Sequence, residues 1–482
     1  MGQSTRWLAW INGRQEEPTT GAFFTVEEPA TGQPLAEVAE CGLEDVHRAV
    51  GVAREAFESG VWANQSATSR GKVLLRLAQE IRDNVEQLAE WETRQVGKPI
   101  RDARGEVLTA ADCFEFYAGA ANKLYGHTIP VSATGFDYTI RMPVGVVALI
   151  VPWNFPFLIT AWKVAPALAA GNSILIKPAS YTPLTALLLG PLAAAAGIPD
   201  GVLNVVPGPG RTVGEAMVAH PGVDKVAFTG ETRTGSRVLE LAAPNITRVS
   251  LELGGKSPTI VFQGVDVDRV AFLAVQSAYA NSGQDCCARS RILVQREIHN
   301  EFVESVVKHV SALKLGDPLD PDTEMGPLIS QSHRDRVATY VAQGQKEGAE
   351  LVLDPNAKSL PQKGFYLSPA VFSGVQSDMT VVREEIFGPV TTVQAFDSEE
   401  QAIRLANDTK YGLSGSVFAR DIGQALRVVN QVRAGVMSVN SIKSVHLEAP
   451  FGGFKQSGMG RELGMEALEM YTELKNVFVS TD

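Results

Sequence analysis

The sequence predicts an α/β protein with open parallel sheets covered by helices on both faces. Between 144 and 262, apolar runs of strand length alternate with Ala- and Leu-rich segments of helical length. A second series with the same alternation follows from 265 to about 440. Alternating strands and helices are typical of parallel sheets, because each helix crosses back over the sheet. The length of 482 residues also exceeds what one compact core supports, so several domains are expected.

The predicted elements follow in order along the chain. The first 145 residues look helix-rich, with helical periodicity over 44–58, 69–96 and 103–123. The first alternating series predicts strands at 146–151, 173–176, 202–206, 225–228 and 258–262, and helices at 157–170, 183–196, 211–219 and 235–242. The second predicts helices near 266–281, 299–313, 330–347, 398–407 and 421–433, and strands at 291–295, 370–373, 390–396, 415–419 and 436–440.

Charge and cysteine usage exclude several classes of protein. A net charge of −11 without a long basic run argues against nucleic acid or an anionic membrane as partner. Four scattered cysteines are too few for a disulfide framework, and they lack the CxxC or Cys/His spacing of a zinc site, so no metal is expected. No export signal or membrane-length apolar stretch stands out. The sequence therefore predicts a cytoplasmic protein from a reducing compartment.

Cys286 follows a glycine-containing turn in the segment Asn-Ser-Gly-Gln-Asp-Cys-Cys-Ala-Arg at 281–289. A thiolate attacks carbonyl carbons well, so a cysteine placed in such a turn is a candidate nucleophile. The alternative is a buried structural cysteine, which is the commoner role. Two further segments favour chemistry, namely Pro-Trp-Asn-Phe-Pro at 152–156 and Leu-Glu-Leu-Gly-Gly-Lys at 251–256.

Residues 228–235, Phe-Thr-Gly-Glu-Thr-Arg-Thr-Gly, follow a predicted strand and open a helix. Glycines there let the backbone approach a phosphate, and the helix N-terminus supplies N–H donors. The segment is not a GxGxxG fingerprint, and a tight strand-to-helix turn is the alternative. Lys177 stands at the end of another predicted strand, where open α/β sheets bind ligands. A solvated lysine is the commoner outcome there.

Two segments with acidic residues also indicate a site. Glu252 lies in an apolar run, where a carboxylate is costly unless it is paired or works. The glycines at 254 and 255 would let its side chain move between positions. Glu384 and Glu385 precede Ile-Phe-Gly-Pro, although a loop with solvated acids is the commoner reading of that pattern alone.

In combination, these segments resemble the aldehyde dehydrogenase superfamily, in its hydrolytic NAD(P)-dependent branch, over essentially the whole chain. The matching motifs are PWNFP at 152–156, IKPAS at 176–180, FTGETRTG at 228–235, LELGGKSP at 251–258, GQDC at 283–286, EEIFGP at 384–389 and PFGGFKQSG at 450–458. They occur in the family's order and with similar spacing. The resemblance implies an aldehyde-dehydrogenase-like fold with two Rossmann-like open-sheet domains and a small β oligomerisation element.

The resemblance implies catalytic roles residue by residue. Cys286 matches the nucleophile that forms a thiohemiacetal, and the Asn154 amide with the Cys286 backbone N–H matches the oxyanion hole. Hydride loss to the nicotinamide then leaves a thioester, which Glu252 hydrolyses by activating water. Lys163 is the remaining catalytic candidate, as a cation that offsets the charge of Asp285. Cys287, next to the matched position, is interpreted as a packing residue.

The implied cofactor is NAD or NADP, with NAD slightly ahead. Lys177 and Glu385 match positions that hold the two riboses, Phe387 one beside the nicotinamide ribose, and Trp153 one in the cofactor cleft. The remaining matched cofactor positions are Val151, Pro152, Ser180, Gly210, Gly230, Glu231, Gly235 and Leu253. The three glycines match turns around the adenosine and pyrophosphate. Ser180 replaces a glutamate of many NAD-preferring relatives, which admits NADP, whereas Glu231 replaces a serine and restores negative charge.

The implied substrate is a medium-sized aliphatic or aromatic aldehyde. By resemblance, the tunnel walls are Phe155, Ile159, Trp162, Ala280, Val445 and Phe451. Large aromatic residues favour an apolar substrate body, and two small residues predict a wide mouth. The segment 157–163 has no arginine to bind a semialdehyde carboxylate. Lys443 and His446 could nonetheless attract an anionic group, so a semialdehyde stays open as an alternative, as does an amino aldehyde.

The resemblance also implies domain boundaries and assembly. Residues 1–124 and 144–254 match the cofactor-binding domain, 255–456 the catalytic domain, and 125–143 with 465–482 the oligomerisation element of a homodimer or homotetramer. Alternation over 136–142 and 475–481 predicts strands that pair across subunits, although the tail also fits a strand that closes its own domain. Glu252 argues against a CoA-acylating enzyme. Together with Cys286 and Asn154, it also argues against a relative without activity.

Overall fold

The computed structural model describes residues 6–354 and 360–482. Residues 1–5 of the predicted cofactor-binding domain and 355–359 of the predicted catalytic domain lie outside the described residues. The described chain contains two large sheets, of eight and seven strands, and two sheets of three strands. No helix in the described ranges is both long and apolar enough to cross a membrane.

The N-terminal region combines short strands with four helices. Strands β1–β5 are Arg6–Trp7, Ala9–Ile11, Arg14–Glu16, Phe23–Glu28 and Gln33–Ala39. Helices α1–α4 are Leu43–Glu58, Ala67–Asp83, Val85–Val96 and Ile100–Ala120. The sequence predicted the helices but none of these strands, because strands this short carry little periodicity. The single helix predicted over 69–96 is two helices that meet at Asn84.

The five strands predicted in the first alternating series form with ends shifted by a few residues, and the structure adds strands at Thr128–Ile129 and Arg248–Glu252 that the sequence did not predict. Strands β6–β13 are Thr128–Ile129, Gly135–Pro143, Val146–Ile150, Ser173–Lys177, Leu203–Val205, Lys225–Thr229, Arg248–Glu252 and Pro258–Val261. Helices α5–α8 are Pro156–Ala170, Leu184–Ala196, Glu215–Ala219 and Thr232–Ala242. The helix predicted at 211–219 starts as a wider π-helical turn over Gly210–Gly214.

The second series also forms. Helices α9–α15 are Val267–Tyr279, His299–Ala312, Gln331–Lys346, Thr380–Arg383, Glu399–Asn407, Ile422–Gln431 and Gly464–Met470. Strands β14–β21 are Arg291–Gln295, Glu350–Leu353, Ala370–Ser373, Val390–Phe396, Ser414–Phe418, Val436–Val439, Gly458–Met459 and Thr472–Ser480. The sequence missed the short elements β15, α12, β20 and α15.

The two large sheets are parallel except at their edges. The eight-stranded sheet has the order β20-β12-β11-β8-β9-β10-β2-β3, in which β20, β2 and β3 are antiparallel additions. The seven-stranded sheet has the order β15-β16-β17-β14-β13-β18-β19, in which only β15 is antiparallel. The predicted parallel architecture is therefore correct for the sheet centres. Parallel pairing places Lys177 and Glu252, at the ends of β9 and β12, on one edge of the first sheet.

Helix α5 connects the core to the site. Its only residue that is not buried is Leu158, because the helix packs between the first sheet and helices α2 and α4. A helix that is apolar on all sides has no solvent face, so its position is fixed by close packing. The carboxyl of Glu92 accepts a hydrogen bond from the Phe157 N–H (3.1 Å), near the first turn of α5. The residues that precede α5, including Asn154, are thereby held in place.

The strands predicted at 136–142 and 475–481 pair with each other in the same chain, as β7 and β21. Their antiparallel register runs from Gly135 opposite Ser480 to Pro143 opposite Thr472. The expectation that both pair across subunits is therefore wrong for this edge, and the alternative of a tail that closes its own chain is correct. Phe136 and Phe478 remain 49% and 44% exposed on this three-stranded sheet. Self-association through the sheet stays a prediction.

Truncation after Leu474 is expected to give a monomer or insoluble protein. The deletion removes most of β21 and leaves the edge of β7 unpaired, and unpaired strand edges aggregate. Light scattering of the purified chain measures the outcome. A matched control lacks only Thr481 and Asp482, which lie beyond β21. If the longer truncation keeps the oligomeric state of the full chain, the proposed role of the tail is wrong.

Candidate active site

Cys286 is presented by a strained turn after α9. Asn281, Ser282 and Gly283 have consecutive positive φ angles of 49°, 59° and 72°. This conformation costs a non-glycine residue about 1–2 kcal/mol, so the surrounding packing must impose it. The Ser282 hydroxyl donates to the Gly326 carbonyl (2.9 Å), and a Cβ at Gly283 would lie 2.2 Å from the Gly388 oxygen. The turn is therefore rigid. In the sequence, Gly283 was the only residue that indicated a turn at this position.

Asn154 is fixed against this turn, although it lies far away in sequence. Its side-chain Nδ2 donates to the Gln284 carbonyl (3.0 Å), two residues before Cys286. In return, Asn281 Nδ2 donates to the Asn154 carbonyl (2.9 Å). A primary amide carries two N–H donors, so Asn154 keeps a second donor besides the one bonded to Gln284. The structure thus brings together the predicted oxyanion donor and the predicted nucleophile.

Cys286 is intermediate in exposure as a residue, and the carboxylates of Asp285 and Glu385 are near its thiol. A hydrogen bond with the Cys287 thiol raises the pKa of Cys286, as do burial and the nearby Asp285 carboxylate. The free thiol is therefore the favoured form, as the sequence indicated for a cysteine beside an aspartate. The Asp285 carboxylate is itself held by the Cys287 backbone N–H, at 2.8 Å.

Glu252 is buried at the end of β12, with 5% of its surface exposed. Burial and the nearby Glu462 carboxylate raise its pKa well above the usual range. Its Oε2 has no hydrogen-bond partner among the described residues. A buried carboxylate with a free oxygen is suited to take a proton from a bound water.

Lys163 forms an ion pair with Glu462, and both side chains are buried. The sequence predicted instead that Lys163 offsets Asp285. In the structure, burial raises the pKa of Asp285, and the cations that oppose this rise are Arg289 and Lys98. Glu462 was missed, because it follows the last recognised motif and its only signal is an acid in a glycine-rich segment.

The predicted substrate residues divide into two groups. Phe155, Ile159, Trp162 and Phe451 belong to one apolar cluster, against which Cys286 packs. The rings of Trp162 and Phe451 meet edge to face, with centroids 5.4 Å apart. Ala280 and Val445 are exposed, which fits the entrance of the predicted substrate tunnel rather than its apolar wall. Sequence reasoning missed the buried Lys98, whose Nζ lies 4.2 Å from the centroid of the Phe155 ring.

Several predicted cofactor residues have the geometry of a binding cleft. Lys177 is 5% exposed, its ammonium makes no hydrogen bond or ion pair with another described residue, and burial lowers its pKa to about 8. Glu385 accepts the Gly255 N–H (3.0 Å), and burial raises its pKa to about 7. A Cβ at Gly254 would lie 1.9 Å from Glu385 Oε2, so only glycine fits there. The buried ammonium of Lys177 and the buried carboxylate of Glu385 are therefore suited to contact a polar ligand.

The aromatic residues of the cleft pack against each other. The Trp153 ring meets the Phe387 ring edge to face at 5.2 Å, and Phe387 adopts a positive φ of 59°. Val151 and Pro152 connect β8 to this aromatic pair, with the Val151 N–H bonded to the Lys177 carbonyl (3.1 Å). The segment 151–153 therefore lies beside the end of β9, the strand that carries Lys177.

The predicted phosphate segment opens α8, with Glu231 exposed at its N-cap and Gly230 just before it. Gly235 lies inside α8 rather than in a turn, and a Cβ there would be 2.6 Å from Leu253 Cδ2. Its predicted role in a turn is therefore wrong, because it permits helix–strand packing instead. Ser180 donates to the Gly208 carbonyl (3.2 Å), which places it near the turn that starts at Gly210.

Comparisons with known proteins agree with these features. A model of the aldehyde dehydrogenase family matches residues 16–477. Betaine aldehyde dehydrogenase from Bacillus subtilis is 42% identical over 475 residues, which cover 98% of this chain and 96% of the relative. Human retinal dehydrogenase 2 is 42% identical over 477 residues, which cover 98% and 91%.

Solved structures show the same similarity over nearly the whole chain. Betaine aldehyde dehydrogenase from Staphylococcus aureus, in complex with NAD+, superposes with a TM-score of 0.96 at 39% identity, covering 99% of this chain and 95% of that one. Indole-3-acetaldehyde dehydrogenase from P. syringae, also with NAD+, gives 0.97 at 40% identity, covering 99% and 97%. The resemblance and the fold class predicted from the sequence are therefore confirmed.

Proposed function

Since the chain belongs to the aldehyde dehydrogenase family and is an NAD(P)-dependent enzyme of that family, we propose that it oxidises an aldehyde to the carboxylic acid through Cys286. One observation carries this proposal. The Asn154 amide is bonded to the backbone two residues before Cys286 (3.0 Å), so an oxyanion donor and a thiol stand side by side. That arrangement suits attack on a carbonyl group.

In the first step, the Cys286 thiol gives up its proton to water, its sulfur bonds to the aldehyde carbon, and the carbonyl oxygen becomes an alkoxide. The second N–H of the Asn154 amide and the backbone N–H of Cys286 stabilise that oxygen. A preorganised donor of this kind contributes about 3 kcal/mol to a transition state. Because the turn over 281–283 is rigid, these donors need little reorganisation during the reaction. The product is a thiohemiacetal on Cys286.

The cleft fits a nicotinamide dinucleotide. Lys177 offers a buried ammonium that has no partner in the described part of the chain, and Glu385 offers a carboxylate that only glycines at 254 and 255 admit. In this proposal residues 1–124 and 144–254 bind the cofactor, and 255–456 present the cysteine. Lys177 and Glu385 would hold a bound NAD(P)+, which would supply a hydride acceptor, and loss of a hydride from the thiohemiacetal carbon would leave a thioester on Cys286.

Hydrolysis of that thioester is assigned to Glu252. Its unpartnered Oε2 takes a proton from a water, whose oxygen then bonds to the thioester carbon and releases the acid. The Lys163–Glu462 pair lies near this carboxyl, since the charges of both residues affect its pKa. Lys163 therefore compensates part of the negative charge of two buried acids.

The proposed substrate is a medium-sized aliphatic or aromatic aldehyde, because Cys286 packs against the apolar cluster with Trp162 and Phe451. The second candidate is an amino aldehyde, which the similarity to betaine aldehyde dehydrogenases favours. NAD(P)H formation with aliphatic, aromatic, amino- and semialdehydes, with and without CoA, tests both. Activity that requires CoA would refute the hydrolytic step, and inactivity with every aldehyde would refute the proposal.

Replacing Ser180 with glutamate is expected to lower kcat/KM for NADP+ about tenfold more than for NAD+. A carboxylate beside Gly208 and Gly210 would repel a 2′-phosphate, and about 1.4 kcal/mol of repulsion corresponds to tenfold. Steady-state kinetics with both cofactors measure the difference. Ser180→Gln is the matched control, since it adds the size without the charge. Equal effects on both cofactors would mean that residue 180 does not face the adenosine ribose.

A further inference from the structure

Asp285 and Cys287 have no role in the proposed reaction, yet they form a compact cluster with Cys286. One carboxylate oxygen and the two thiol sulfurs all lie within 4.8 Å of one another. Within the ranges that the structure describes, no other group of three such side chains is as close. The sequence showed no CxxC or Cys/His spacing, so this convergence arises from the turn.

The cluster is held in shape before any ligand binds. The Cys287 N–H donates to Asp285 Oδ1 (2.8 Å), and the Ala288 N–H donates to the Asp285 carbonyl (3.0 Å). The rigid segment 281–283 precedes it directly. Prepared ligand geometry favours metal binding, because little conformational entropy is lost when the ion enters.

The donor set selects the kind of ion. Two thiolates and one carboxylate suit a thiophilic divalent cation such as Zn²⁺ or Cd²⁺, whereas Mg²⁺ and Ca²⁺ prefer oxygen ligands only. Three protein ligands also leave a fourth position open for water, which is the arrangement of open zinc sites.

The cluster lacks a directly bound protein cation. Arg289 is near, but its guanidinium donates to the hydroxyls of Ser277 (2.9 Å) and Ser444 (2.7 Å). The two thiol sulfurs and the Asp285 carboxylate oxygen therefore face one another, within 4.8 Å. A divalent cation would replace the thiol protons and neutralise the charge of the ligands.

An ion has a path to this cluster. Asp285 and Cys286 are partly exposed. Asp285 also lines a small cleft together with Gly255, Glu385 and Phe387. The cluster therefore opens toward the residues that we assign to the cofactor.

We propose that Asp285, Cys286 and Cys287 bind one thiophilic divalent cation of the Zn²⁺ class, and that the bound ion reversibly inhibits the enzyme. Two thiol protons leave as two metal–sulfur bonds form, and no electrons are transferred. Inhibition rests on the proposed function, because it needs Cys286 to be the nucleophile. Binding of the ion does not depend on that function.

The binding test titrates the metal-free full-length chain with Cd²⁺ and follows the thiolate-to-cadmium absorbance in the ultraviolet. One Cd²⁺ per chain is expected for the wild type. Cys287→Ala should weaken Cd²⁺ binding at least about 100-fold. Removing a direct metal ligand lowers the affinity no less than removing a residue that only hydrogen-bonds to such a ligand. Cys113→Ala is the matched control, since that buried thiol bonds to the Ala161 carbonyl in another part of the fold. A wild type without the band, or Cys287→Ala with wild-type affinity, overturns the proposal.

The inhibition test separates this site from the proposed function. Micromolar Zn²⁺ should inhibit the wild type and EDTA should restore it, while Cys287→Ala stays active and resists Zn²⁺ about 100-fold better. Equal inhibition of both proteins would refute the regulatory role. If the metal-free wild type oxidises no aldehyde but still shows the cadmium band, the proposed function fails and the metal site stands. Aldehyde oxidation without the cadmium band would refute the metal site and leave the proposed function standing.

Discussion

Cys286→Ala is expected to abolish aldehyde oxidation, with kcat reduced by at least about 10⁴-fold, because loss of a catalytic nucleophile in other enzymes has effects of that order or larger. Alanine removes the sulfur that forms the thiohemiacetal, and the Asn154 donor alone forms no covalent bond to the substrate. NAD(P)H formation under saturating aldehyde and cofactor measures the loss. The thermal unfolding temperature and cofactor affinity should remain near those of the wild type, because Cys286 is intermediate in exposure as a residue.

Cys287→Ala is the matched control for this prediction. The two residues are adjacent, and the second is buried in the same apolar cluster against which Cys286 packs. Most activity should survive in Cys287→Ala, since no step of the proposed reaction uses that sulfur. An inactive Cys287→Ala together with an active Cys286→Ala would show that the family motif has been aligned one residue out of register.

Glu252→Gln is expected to lower the steady-state rate by about 10²-fold or more, the usual size of a general-base contribution. Glutamine preserves the shape of the buried side chain but cannot accept a proton from water. A pre-steady-state burst of NAD(P)H should persist, because thioester formation precedes the step that Glu252 assists. Stopped-flow absorbance separates the burst from the slower turnover.

The control for this variant is Glu384→Gln. That carboxylate pairs with Lys410 and its side chain is 44% exposed, so its loss should leave the burst and the turnover nearly unchanged. If Glu252→Gln loses the burst as well as the steady rate, Glu252 acts in activating the Cys286 thiol instead.

The sequence by itself determined the parallel sheet architecture and the candidate residues of the site. Strands such as β8 and β9 are continuous apolar runs, and buried parallel strands have that local signature. Cys286, Asn154 and Glu252 were found because each occurs in a short motif whose residue types resemble one family. Signals of this kind lie within ten or so residues of chain, so a single sequence contains them in full.

Only the tertiary structure decided the contacts between those motifs. The Asn154–Gln284 hydrogen bond joins residues 130 positions apart, and the Lys163–Glu462 pair joins residues 299 apart. Neither contact has a periodic signature, because each depends on how two distant elements pack. The packing of distant elements also decided two other features. Strands β2 and β20 add to the first sheet in antiparallel orientation, and β21 pairs with a strand of its own chain. A strand's sequence indicates which face is buried, but the partner of its edge is chosen by the rest of the fold.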